Sequence, residues 1–442
     1  MNPSRDLAEI YDAAIAAVDP FQAVSNALKI EGDSLSVSGA VHDLSRFESM
    51  IVVGAGKASG KMAKAVEKVL GSRISKGLVI VKAGYRVDLE IVEEVEASHP
   101  VPDAAGMEGT LRILDLVKNA DEKTLIIFLL SGGASSLLVL PSDDLTLEEK
   151  QEATSLLLKC GATIEEVNSV RKHLSKVKGG RLAEAAFPAA MLTFIVSDVI
   201  GDRLDVIGSG PTVQDDSSFS DALAVIKKYG LLEAMPENVL LHLEKGVACN
   251  DKETKPENVE NFIVASNRVA LEAAKEKAKR LGYDVELISS SLQGEAKEAA
   301  GFLAGIAQQR MKKIRTPYCL LSGGETTVRV NGTGKGGRSQ ELALSFALAI
   351  EGIGGITLLS AGTDGTDGPT DAAGAMVDGE TCRSARRLGL DPARFLQEND
   401  SYRFFDGLDR LSGKRSHFKP GQTGTNVMDI QVILLEPNLQ QP

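Results

Sequence analysis

Short apolar runs alternate along the chain with longer amphipathic stretches, and several of the runs end in Gly, Ser or Asp just before a helical pattern opens. That alternation is the pattern of βα units and predicts an α/β protein. In the first half, strands are predicted at 50–53 (MIVV), 77–81 (GLVIV), 124–130 (TLIIFLL) and 191–196 (MLTFIV). In the second half they are predicted at 261–265 (NFIVA), 284–288 (DVELI), 317–321 (PYCLL), 356–360 (ITLLS) and 429–435 (DIQVILL). Runs such as 124–130, apolar without alternation, suit a parallel sheet covered by helices on both faces. Residues 57–70 supply one cover: Ala58, Met62, Val66 and Val69 form a stripe opposite Lys61, Lys64 and Lys68. Residues 267–281 and 294–312 repeat the pattern.

At 442 residues the chain exceeds what one core usually serves, so two domains are expected, with a ligand cleft between them. The polar, Pro-containing segment 245–259 marks the boundary and separates an N-terminal α/β domain, 1–245, from a C-terminal one, 255–442. The expected architecture is two unequal Rossmann-like three-layer α/β domains with mostly parallel sheets and an interdomain cleft. Aromatics make up only 4% of the residues and Trp is absent, so aliphatic packing must carry the cores.

Charge narrows the function. Against 61 Asp and Glu stand 49 Lys and Arg, a formal charge of -12, which repels nucleic acid and anionic membranes over most of the surface. A phosphate site must therefore be a local positive pocket. The four cysteines, Cys160, Cys249, Cys319 and Cys382, show no zinc-ligand or disulfide-framework spacing, which suits a reducing cytoplasm. Asp6 and Glu9 interrupt any apolar leader, and no run approaches a membrane span, so a soluble cytoplasmic protein is expected. A homo-oligomer is left open.

Candidate chemistry sits where strands end. Gly54 and Gly56 frame a turn carrying Lys57, where backbone can approach an anion at a helix N-terminus. The loop is not a Walker A sequence, because Ile51 and Ala58 stand where that pattern needs Gly and Ser or Thr. Ser131, Gly132, Gly133, Ala134, Ser135 and Ser136 form a second phosphate-cradle candidate, and Ser322, Gly323, Gly324, Glu325 and Thr326 repeat it with a carboxylate suited to a hydroxyl or a hydrated metal. Thr163 and Glu166 predict a capping box, with Ile164, Val167, Val170 and Leu174 as the buried stripe of the helix they open. Asn168, Arg171, Lys172 and Ser175 share another face, followed by Lys176, Lys178 and Arg181. That positive concentration runs against the background charge. Asp198, Asp202 and Asp205 follow the strand at 191–196 and lead into Gly208–Thr212, positions suited to magnesium.

Residues 331–341, NGTGKGGRSQE, lie between a strand-like 326–330 and an apolar helix at 342–350. Gly332, Gly334 and Gly337 satisfy a dinucleotide pattern, but the acidic ribose ligand about 20 residues on is missing. Lys335 and Arg338 bring positive charge instead, and Arg suits a bidentate hold on carboxylate or phosphate. Thr363, Asp364, Thr366, Asp367 and Asp371, interleaved with glycines, can coordinate a hydrated divalent ion or align a hydroxyl.

Taken together, GAGKAS at 54–59, SGGASS at 131–136, NSVRKHLSKVKGGRLA at 168–183, SDVIGD at 197–202 with GSGPT at 208–212, SGGET at 322–326, GGRSQELAL at 336–344 and AGTDGTDGPTDAAGA at 361–375 resemble the glycerate 2-kinase family. The last two resemble its C-terminal MOFRL region. The resemblance implies ATP as phosphoryl donor, a divalent ion such as magnesium, and D-glycerate converted to 2-phosphoglycerate in a cleft between two α/β domains. It also implies Lys57 and Arg338 as charged active-site residues and Asp198, Glu325 and Asp364 as acidic ones, with Asp198 and Asp364 the metal candidates. Gly54, Gly56, Ser131, Gly132, Gly133, Ala134, Ser135, Asn168, Arg171, Lys172, Gly337, Thr363 and Asp367 complete the candidate nucleotide and substrate contacts. Two alternatives stay open: a hydroxypyruvate reductase, which would need NAD(P), and a non-catalytic nucleotide-binding module.

Overall fold

The apolar runs become strands in two separate sheets. The computed structural model describes residues 2–249, 258–413 and 415–437. It divides into a first unit, Pro20–Val264, and a second that combines Met1–Asp19 with Ala265–Pro442.

The first unit opens with a small antiparallel meander, β1 (Leu28–Glu31), β2 (Ser34–Val37) and β3 (Ala40–Asp43). Its main sheet comprises β4 (Ser49–Ala55), β5 (Lys76–Lys82), β6 (Val92–Ala97), β7 (Thr124–Ser131), β8 (Ala190–Val196) and β9 (Val259–Ala265), in the order β6-β5-β4-β7-β8-β9. Pairing from β6 through β8 is parallel throughout. Every residue of β7 is buried, as expected for a strand covered on both faces. The run at 261–265, grouped above with the second half, is the edge strand of this first sheet. Periodicity shows that a strand exists and not which sheet accepts it. The short meander and β6, whose VEEVEA run is rich in exposed Glu, escaped the apolar pattern.

The second unit carries β10 (Asp284–Leu292), β11 (Tyr318–Gly324), β12 (Ile356–Gly362), β13 (Gly374–Asp378), β14 (His417–Phe418) and β15 (Asp429–Leu435), in the order β10-β11-β15-β12-β13-β14. Only β10 and β11 pair in parallel; β15 inserts between β11 and β12, antiparallel to both. The α/β expectation holds in both units, while this second sheet is mixed rather than mostly parallel. Helix Ala296–Met311 packs on it through Ala296, Ala299, Ala300, Leu303, Ala304 and Ala307, small side chains that form part of its aliphatic core.

The N-terminal helix, Pro3–Ala17, belongs to this second unit. Asn2 caps it by accepting from the Arg5 amide, and Leu7, Ile10, Tyr11 and Ala14 form its buried stripe. The Tyr11 hydroxyl donates to the Gly362 carbonyl at 2.8 Å, Tyr283 donates to Asp6 at 2.8 Å, and Lys277 pairs with Glu9 at 2.7 Å. The division thus falls at 19/20 and 264/265 instead of within 245–255; of the proposed boundary segment, 250–257 lies outside the described residues.

Candidate active site

In the first unit, parallel pairing brings the C-terminal ends of β4, β7 and β8 to one edge of the sheet, the usual ligand edge of an α/β sheet. The Lys57 amide donates to the Gly132 carbonyl at 2.9 Å and the Ala58 amide to Ser131 Oγ at 3.0 Å, which ties the 54–59 loop to the 131–136 loop. Gly56 has φ 139°, and a Cβ there would stand 2.1 Å from Ser131 Oγ, so the close approach requires glycine. Asp198 closes the group: a Cβ on Gly132 would stand 2.2 Å from its Oδ2. Across Gly133, the His99 ring lies beside the Lys57 stem. Burial, then the charges of Lys57 and Lys82, push His99 down to about 4, so this imidazole is neutral at pH 7. Asp205, further along the same loop, is paired with Arg203 at 2.8 Å.

The capping box forms as predicted, with Glu166 donating its amide to Thr163 and accepting from the Thr163 amide. Val167, Val170 and Leu174 are buried, while Ile164 in the first turn is exposed. The polar face divides in two. Lys172 pairs with buried Asp215 at 3.1 Å, and Asn168 accepts from the Ser209 hydroxyl at 3.1 Å, so both are engaged in packing. Arg171 lines a cavity together with Ser135.

In the second unit a cavity of about 720 Å³ is lined by Glu325, Gly337, Arg338, Asp364, Asp367 and Asp429, among others. Strand register assembles it. Asp429, first residue of β15, stands opposite Gly324 at the end of β11 and Gly362 at the end of β12, which brings the 322–326 and 361–371 segments together. Arg338 holds Asp429 through Nε at 2.7 Å and Nη2 at 3.0 Å, a bidentate clamp, and its Nη1 donates to Glu325. Burial pushes the Asp429 carboxyl up to about 7, against the pull of Arg338 and with the repulsion of Asp367 and Glu325. Burial alone would lower the Arg338 guanidinium; Asp429 and Glu325 outweigh it and raise it. Sequence reasoning missed Asp429 because its partner stands 91 residues away and only the insertion of β15 makes them neighbours.

Asp367 is buried and accepts from the Ser339 amide at 3.1 Å and from the Gln340 amide at 2.9 Å, so it caps helix Arg338–Ala349 and fixes the base of Arg338. A Cβ on Gly337 would collide with it at 2.3 Å. Thr363 donates to the Met428 carbonyl and accepts from the Val427 amide, a buried staple. One Asp364 oxygen accepts from the Thr366 amide at 3.0 Å. The strand-like 326–330 forms no strand; the amides of Thr327 and Arg329 donate instead to the Gly294 carbonyl and the Glu295 carboxylate. In the loop that follows, Gly332, Gly334 and Lys335 donate their amides to Asn399, Glu398 and Asp400. Its glycines serve close packing with the chain itself and lack the strand-to-helix setting of a dinucleotide loop.

Among the described residues, no three His, Cys, Asp or Glu side chains are grouped to hold a metal ion. Single carboxylates such as Asp198 or Asp364 fit magnesium that takes most of its ligands from phosphate and water, and do not fit a metal caged by protein alone.

Residues 6–244 match a family described as a domain of unknown function, DUF4147, and residues 318–429 match the MOFRL family. The D-glycerate 2-kinase of Thermotoga maritima is 44% identical over 97% of this chain and 97% of its own length. The glycerate 2-kinase of Pyrococcus horikoshii is 40% identical over 96% and 95%. The chain belongs to the glycerate 2-kinase family. A solved Pyrococcus horikoshii structure superposes on this family member with a TM-score of 0.88, at 39% identity over 99% of both chains. A relative from Agrobacterium vitis, 40% identical over 97% of this chain and 94% of its own, carries a provisional hydroxypyruvate reductase name. The Lys57, Ser131 and Asp198 loops fall within the first family region, and Glu325, Arg338, Asp364 and Asp429 within the second.

Proposed function

We propose that this protein transfers the terminal phosphoryl group of ATP to the 2-hydroxyl of D-glycerate, giving 2-phosphoglycerate and ADP. The observation that carries the reading is the 44% identity, over nearly the whole of both chains, with a D-glycerate 2-kinase. The site chemistry agrees with it, since phosphoryl transfer asks mainly for positioned charge and needs no nucleophilic side chain.

Lys57 is assigned to charge on the transferred phosphoryl group or the glycerate carboxylate. Arg338 has the same assignment: three of its five N–H donors hold Asp429 and Glu325, which orients the plane and leaves two for substrate. Asp364, with one oxygen engaged by Thr366, keeps the other for the attacking hydroxyl or for magnesium. Asp198 is the acidic counterpart beside Gly132, and Glu325 takes a substrate hydroxyl. Magnesium, when bound, would neutralise charge on the phosphates. With four free cysteines and no described helix long and apolar enough to cross a membrane, a cytoplasmic location is proposed.

The decisive assay supplies ATP, magnesium and D-glycerate, then enolase without phosphoglycerate mutase. Phosphoenolpyruvate is expected; its absence while ADP accumulates would mean that a different hydroxyl is phosphorylated. Oxidation of NAD(P)H by hydroxypyruvate would support the reductase instead, a reading disfavoured by the self-engaged 332–335 loop.

A further inference from the structure

The first unit contains a second cavity, about 620 Å³, lined by an exposed Lys159 and by three more enclosed cations that the site roles above leave unused or undefined: Lys150, Arg171 and Lys178. Lys150 is 5% exposed and Lys178 is 1% exposed. Buried lysines are normally paired with a carboxylate, as neighbouring Lys172 is with Asp215. Among the described residues, none of these three forms an ion pair. Lys150 donates only to the carbonyls of Arg171 and Leu174, at 3.2 and 2.6 Å, and Lys178 only to that of Gly208, at 3.1 Å. Glu148 and Glu152 also line the cavity, but both are exposed and neither pairs with the three cations. The cations are close enough to repel one another. Burial and then Lys178, Arg171 and Arg181 hold Lys150 well below its ordinary value; burial and then Arg171 bring Lys178 to about 7. The arrangement is costly unless an anion completes it.

Elsewhere the wall carries an apolar group, Pro100, Val101, Pro102, Val139 and Leu158, beside the neutral polar side chains of Gln151, Thr154 and Ser155. Ser135 and Ser136 connect it to the loop that accepts the Lys57 and Ala58 amides. A ligand matching this lining has a multiply charged phosphate end and a flat apolar end. We propose that the cavity is the nucleoside-phosphate site of this enzyme, with Arg171, Lys150 and Lys178 facing the phosphates and the Pro100–Pro102 and Leu158 wall against the base. The assignment rests on the kinase reading for its choice of ATP and ADP as the ligands.

Isothermal titration of the full-length protein with ADP, and separately with inorganic triphosphate, tests it. Lys150 is left intact, because it also holds the carbonyl end of helix Ile164–His173. Arg171→Met and Lys178→Met are expected each to weaken ADP binding at least tenfold, with melting temperatures unchanged or raised, because neither side chain has a carboxylate partner to lose. Leu158→Asp, at an exposed position, is expected to weaken ADP and spare triphosphate. Equal ADP affinity in wild type and both cation variants overturns the site, and triphosphate binding as tight as ADP overturns the nucleoside assignment. Turnover of ATP with glycerate, measured on the same preparations, separates the two readings. Normal turnover with Arg171-independent ADP binding removes only the site. Arg171-dependent ADP binding without turnover removes only the kinase.

Discussion

Two cations carry the proposed chemistry in different ways, and the difference decides how each should respond to mutation. Lys57 is half-buried on a glycine-rich turn whose backbone, and not its side chain, holds the loop to Gly132 and Ser131. Lys57→Ala should therefore lower kcat/KM by about 100-fold or more while the melting temperature moves by roughly 2 °C at most; steady-state kinetics with calorimetry checks both. Arg338→Lys should be almost as damaging and also destabilising, because an ammonium cannot reproduce the bidentate hold on Asp429. His99 adds a pH signature. Its folded value near 4 lies below the unfolded value near 6.5, so the unfolded chain binds a proton that the folded protein refuses in that window. The associated stability is complete above about 6.5 and is lost as pH falls towards 4. Urea midpoints should consequently drop less between pH 7 and pH 5 in His99→Asn than in wild type. The turns that present Lys57 and Glu325 were legible because strand ends and glycines announce themselves. Asp429 and Lys150 went unnoticed and Lys178 was read only as part of a basic run, since the significance of each is a partner, or the lack of one, set by distant segments.

Elements show the same division between local and distant causes. The capping box at Thr163 was readable from four consecutive positions and forms, and Thr163→Ala should cost about 1 kcal/mol, visible as a few degrees in melting temperature. The helix beginning at Arg338 has no capping side chain of its own at Gly337, and its amides are instead satisfied by Asp367 from another loop. No sequence rule for helix starts would find that partner. Strand existence was read correctly for all nine apolar runs, yet the sheet assignment of β9 and the central place of β15 were beyond it, because pairing is decided by three-dimensional register. The mixed order β11-β15-β12 is the element-level fact on which the acidic cavity depends.

For the molecule as a whole, the feature with the widest reach is the N-terminal helix. Its Tyr11 hydroxyl donates to the carbonyl of Gly362, which stands opposite Asp429 of the acidic cavity. Tyr11→Phe should reduce stability by about 1 kcal/mol, measured by denaturant titration, with a smaller loss of activity than any substitution at Arg338. Thr425 reaches back to the Val18 carbonyl at 2.8 Å and fastens the other end of the helix to the turn before β15. Both contacts join residues more than 300 positions apart. On the ribosome, this segment emerges before every surface that will cover Leu7, Ile10 and Tyr11. At ordinary translation speed it must wait tens of seconds with a greasy flank in water. The apolar stripe of this helix can therefore be fully covered only after β15 has been synthesised.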